Sequence, residues 1–126
     1  MIDGKHVSIR QPEHSASDYY NYKGGFSFVL LGLVDSDYCF IFAEIGSPGR
    51  ISDGGVLNQS VLLKKIETNS INRPAPNLLP DSDVSLPYVF LGDGAFALRN
   101  YMMKPFPGHH ALGSPQRIFN QELLGF

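Results

Sequence analysis

Two aspartates stand where a protein could hold a divalent cation. Asp3 begins the first strand-like stretch as Ile2-Asp3-Gly4, and Asp93 ends the last one as Gly92-Asp93-Gly94. Carboxylates are hard oxygen donors. Two of them with open coordination positions suit Mg²⁺ or Mn²⁺, which keep several waters and accept phosphate oxygens as further ligands. Ions so held can activate a water and stabilise the leaving oxygen of a phosphodiester. The flanking glycines would let a metal or a phosphate backbone approach closely. Asp-Gly is also a common turn dipeptide, so the residues alone leave both readings open.

If the strands carrying them lie side by side, the two acids can converge at one edge of the sheet. Val7 and Ile9 alternate with polar neighbours over His6–Arg10, as a half-buried strand requires. A polar, aromatic loop follows from Gln11 to Gly25. Phe26–Val34 and Tyr38–Ile45 are strand-like runs, and Asp35-Ser36-Asp37 between them predicts a hairpin. After Gly46-Ser47-Pro48-Gly49, Ser52 and Asp53 are natural N-caps. Val56, Leu57, Val61, Leu62 and Ile66 then form one approximate helical stripe, with Lys64 and Lys65 suiting its C-terminal end. Thr68–Pro87 carries four prolines and no periodicity, the pattern of an insertion or functional loop. Tyr88–Leu91 reads as a buried strand, Ala95–Met103 as a short helix and Ile118–Leu124 as the start of another. Strands, a helix, then a strand predict an α/β (α+β) mixed sheet with helical cover. A right-handed crossover would set the 88–91 strand parallel to an earlier one.

The 126 residues suit one domain, spanning 1–126, and 43% apolar against 17% charged residues is globular composition. The apolar runs are too short to cross a bilayer, so no membrane is expected as a partner. No signal peptide is legible after Met1, and a lone Cys39 fits a reducing compartment. A formal charge of −2 excludes a strongly basic protein that holds nucleic acid by bulk electrostatics.

Read as an ordered set, the residues resemble a known family. Ile2-Asp3-Gly4-Lys5-His6-Val7-Ser8-Ile9, Pro12 and Tyr20-Asn21-Tyr22-Lys23-Gly24 are similar to the opening of the DDE-superfamily endonuclease domain of Harbinger-type transposases. Leu33–Tyr38 with Phe40, Gly46–Val56, Leu91–Phe96, Met103–Phe106 and Phe119-Asn120 follow in the family's order. The resemblance implies an RNase H-like fold. It implies a nuclear protein that acts on DNA phosphodiesters through three acids binding Mg²⁺ or Mn²⁺. The first acid falls on Asp3 and the second on Asp93, as catalytic and metal-binding residues. The third, a glutamate, belongs to an arginine-rich helix beyond the Phe-Asn segment. Glu122 comes too early to match it, so weak or absent cleavage is expected of this chain. The alternative is a domesticated, catalytically silent domain that binds metal or a protein partner.

Other candidates have blander readings beside the functional ones. Asp53 lies in the family's post-glycine motif and could line the site, but the N-cap role is favoured. Asp35 and Asp37 read as turn residues, and His6 as a partly buried structural histidine. A zinc site at His109-His110 has little support with so distant a thiol. Lys23, Arg50, Lys64 and Lys65 could meet a DNA backbone or simply face solvent. Tyr19, Tyr20 and Tyr22 could stack on bases or pack a long loop.

Overall fold

In the computed structural model, which describes residues 1–124, β1 (Ile2–Ser8), β2 (Ser27–Val34) and β3 (Phe40–Pro48) form an antiparallel sheet in that order. The register sets Ile2 opposite Leu33, Gly4 opposite Leu31 and His6 opposite Val29. Facing partners share a side of the sheet, so these six residues line one face. Ile2, Val29, Leu31 and Leu33 are buried there and form the core of this half of the protein. The expected hairpin joins β2 to β3: Asp35 Oδ1 accepts from the amides of Asp37 (2.9 Å) and Cys39 (3.0 Å), and Tyr38 takes a positive φ of 61°. Asp35 thus acts as the turn residue it resembles. β3 carries an extra residue at Gly46, between Ser47 opposite Val29 and Ile45 opposite Leu30. Its φ of 113° is backbone that glycine adopts freely.

The chain divides into two compact units, Met1–Leu63 and Lys64–Phe126. The first holds the sheet and α1 (Asp53–Gln59), which packs on β1 and β2 through buried Val56 and Leu57. The boundary falls within α2 (Val61–Glu67).

The single helical stripe expected over this region is two helices, and Ser60 is the reason. Its backbone is extended (φ −80°, ψ 154°). Its Oγ donates to Leu57 O at 2.7 Å and accepts from Leu63 N at 3.1 Å, closing one helix and opening the next. The carboxylate of Glu44 on β3 accepts from Val61 N at 3.0 Å and satisfies another first-turn amide. Ser60 is buried, so Ser60→Ala takes the acceptor from the Leu63 amide, while Leu57 O keeps its bond from Ser60 N. The substitution is expected to lower unfolding stability by about 1–2 kcal/mol in urea titrations.

The second unit is built from short pieces. Thr68–Pro87 is mostly loop, interrupted by a two-residue antiparallel ladder of β4 (Asn77–Leu78) with β5 (Ser85–Leu86). The strand expected at 88–91 is β6 (Phe90–Leu91). Its parallel partner is β7 (Met102–Met103) rather than a strand of the first sheet, which corrects the crossover expectation. The helix expected at 95–103 is also absent. Asp93 Oδ1 accepts from Ala95 N at 2.9 Å and tightens a turn, and the chain returns at once into β7. Gly92 makes this return possible: a Cβ there would lie 2.8 Å from Phe96 and 3.0 Å from Met102 Sδ, both buried side chains.

α3 (Pro115–Leu124) starts earlier than expected, with Pro115 at its first position and Ser114 Oγ accepting from Arg117 N at 3.3 Å. Asn120 on α3 makes two bonds to the Phe106 backbone, its Oδ1 accepting from the amide (2.8 Å) and its Nδ2 donating to the carbonyl (3.0 Å). The Phe106 and Phe119 rings meet edge-on at 5.3 Å. The Met103–Phe106 and Phe119-Asn120 motifs, read as separate pieces of sequence, are therefore one clasp. The architecture is mixed, with antiparallel sheets, a short parallel ladder and three helices.

Candidate metal centre

Asp3 is exposed on β1, and its Oδ1 accepts from the amide of Gly4 at 2.9 Å. Across from it, α1 begins under an N-cap supplied by Ser52, whose Oγ accepts from Gly55 N at 3.2 Å. Asp53 is therefore the first helical residue and not the cap. Its carboxylate is turned onto β1 instead. A Cβ built on Gly4 would lie 2.5 Å from Asp53 Oδ1 and 2.7 Å from its Cγ, so the carboxyl group occupies the space a side chain at position 4 would fill. An oxygen of Asp3 and one of Asp53 lie within 4.8 Å of each other.

This pair fits a hard divalent ion. Two ligand oxygens on Mg²⁺ at about 2.0–2.1 Å stand no more than ~4.2 Å apart, a gap that small side-chain rotations close from the observed one. The glycine cradle explains how two acids from different elements come so near. Waters and phosphate oxygens would complete the octahedron.

The second unit places Asp93, half-buried, two residues beyond the end of β6, as expected for an acid at a strand's C-terminal edge. Its turn is ordered by its own side chain, through the bond to Ala95 N, and by the 3.3 Å bond from Phe96 N to Asp93 O.

Asp53 is the candidate that sequence reasoning passed over in favour of capping. The available signal was the doublet Ser52-Asp53, since only one of two adjacent cap formers can be the N-cap. The hydroxyl of Ser52 takes that role, and the neighbouring acid does not.

The remaining candidates sort plainly. His6 is half-buried; its Nδ1 sits 2.7 Å from Ser27 Oγ and its ring contacts Tyr22, as a structural histidine would. His110 Nε2 lies 3.0 Å from Pro107 O, and the described residues hold no histidine and cysteine cluster of metal-ligand size. Arg50 is engaged with Asp18 at 3.7 Å on the surface. Among the described residues no helix is long and apolar enough to cross a membrane.

A family profile described as DDE superfamily endonuclease matches residues 2–125. The human protein named "Putative nuclease HARBI1" is 30% identical over 105 residues, 83% of this chain and 26% of that protein. The rat and cattle proteins of the same name are 30% and 29% identical, again over 26% of their length. The chain thus spans about a quarter of the length of the curated relatives it matches. No solved structure matches it.

Proposed function

The chain belongs to the DDE superfamily endonucleases, and from that premise we propose that it is the metal-holding part of a transposase-derived DNA nuclease. In this reading the core is RNase H-like, and Asp3 and Asp93 are the first two acids of the catalytic triad. Asp53 stands beside Asp3. The ion is Mg²⁺ or Mn²⁺, the substrate is a DNA phosphodiester, and the working compartment is the nucleus.

One observation supports the reading most: the Asp53 carboxylate occupies the side-chain space of Gly4, next to Asp3. Two ionised carboxylates this near repel each other by about 1 kcal/mol even in bulk water. A bound divalent ion reverses that sign. When present it supplies charge neutralisation at a scissile phosphate and a more acidic water. The chain's own part is to fix the carboxylates: Asp3 through the β1 ladder and the Gly4 amide, Asp53 through the first turn of α1, and Asp93 through its turn beyond β6.

The test is a Mn²⁺ titration of the 126-residue chain, with the free ion read by electron paramagnetic resonance. Saturable binding is expected, lost in Asp3→Asn and weakened about tenfold or more in Asp93→Asn. A wild-type chain without a saturable site, or an Asp93→Asn variant that binds like wild type, would overturn the assignment. A silent protein-binding domain is the second reading. It is favoured by exposed Phe40, Ile41 and Ile45 on β3, which neighbours the rest of the sheet on one side only.

A further inference from the structure

The Gln11–Gly25 loop holds a feature that packing does not explain. Tyr22 is a large aromatic residue left 82% exposed, and exposed Lys23 beside it sets its Nζ 5.6 Å from the ring centre. Yet the turn bearing them is firmly built around Asn21, a buried polar residue. Asn21 Oδ1 accepts from Lys23 N (3.0 Å) and Gly25 N (3.2 Å), and its Nδ2 donates to Ser27 Oγ at 2.9 Å. Its amide donates to Gly25 O at 2.7 Å, and its carbonyl accepts from Gly24 N at 3.2 Å. Gly24, at φ 84°, closes the turn in backbone that favours glycine. A buried amide with this many partners orders a loop whose tip buries almost nothing.

Where that tip stands makes the next step. The Tyr22 ring meets His6 edge-on, with centroids 5.6 Å apart. His6 and Gly4 share a face of β1, being two positions apart, about 7 Å along the strand. At Gly4 lies the carboxylate of Asp53. The exposed ring therefore stands against His6, on the face of β1 that the Asp53 carboxylate enters at Gly4.

We infer that Tyr22 and Lys23 form a subsite for DNA next to the metal centre, in which the ring stacks on an unpaired base and the ammonium meets the adjoining phosphate. The inference rests on the nuclease reading above. Stacking needs an accessible ring held in place, and an edge contact with His6 covers little of the ring's area. The Lys23 ammonium lies over the ring, and a cation there suits a backbone that carries one charge per nucleotide.

The test is fluorescence anisotropy of the 126-residue chain, in Ca²⁺, with a labelled DNA hairpin bearing a single-stranded overhang and with the same hairpin blunt-ended. Tyr22→Ala is expected to weaken overhang binding by about tenfold or more, Tyr22→Trp to preserve it, and blunt-end binding to change little. Lys23→Gln should lower the salt slope by about 0.7. Tyr22→Ala that binds the overhang as wild type does would overturn the inference, as would a wild-type chain that binds neither DNA. Thermal melting by circular dichroism confirms that each variant is folded. The Mn²⁺ titration of Asp3→Asn, made without DNA, decides the metal reading separately.

Discussion

Asp53→Asn is expected to weaken Mn²⁺ binding by about tenfold or more, while the metal-free chain melts within a few degrees of wild type. The substitution keeps the size of the side chain and removes only its charge, and hard cations discriminate sharply by ligand charge. The helix start survives because Ser52 caps it. Gly4→Ala supplies a second route to the same loss without touching any acid. The added methyl would stand 2.5 Å from Asp53 Oδ1, which no real Cβ tolerates, so the carboxyl group must swing away. What moves is the far end of a side chain and not backbone, so the fold is expected to persist while the affinity falls by a similar factor. Isothermal titration calorimetry on both variants, with melting curves alongside, checks this. Either variant binding as wild type does would show that Asp53 has no part in the centre.

Leu31→Ala is expected to be the most damaging of the substitutions considered for stability, costing about 2–5 kcal/mol. Leu31 is fully buried on the central strand, opposite Gly4, on the face that α1 covers. Its neighbours Val29 and Leu33 sit on a strand held by two ladders and Ile2 on one held by a single ladder, so the gap does not close fully and a cavity term adds to the lost transfer energy. A whole domain of ordinary stability has about 5–15 kcal/mol, and the loss should bring unfolding near physiological temperature. Urea denaturation followed by circular dichroism measures it. A cost under about 1 kcal/mol would mean that the sheet face is not the core of the first unit.

The two substitutions separate what the same stretch of chain does. Gly4 and Leu31 are partners across β1 and β2. One leaves room on that face for a charged group of α1, and the other fills it with apolar volume. A small residue opposite a large one lets an acid enter at the margin of the core without being buried within it.

Much of this was legible from the chain alone. The alternation over His6–Arg10, which overlaps only the end of β1, the apolar run of β2 and the Asp35-Ser36-Asp37 turn predict a hairpin sheet, because side-chain period and turn chemistry are local properties. The helix that caps the post-glycine motif is legible for the same reason, as is an acid at the end of β6. Lys23 and Tyr22 were visible as candidates, but their exposure was not. Whether an aromatic residue packs a loop or stands clear of it depends on what surrounds it in space.

The sequence by itself determined the family, the mixed architecture and an acid just beyond β6, since ordered motifs and short-range patterns survive without coordinates. Only the tertiary structure decided that Ser60 splits the helical stripe and that β6 pairs with β7. It also decided that Asp53 lies against Gly4. The reason is common to all three. Each outcome is a choice among backbone partners or packing spaces that are nearly equivalent locally. Each is settled by which amides need acceptors and which glycine leaves room, and those are facts of distance rather than of spacing along the chain.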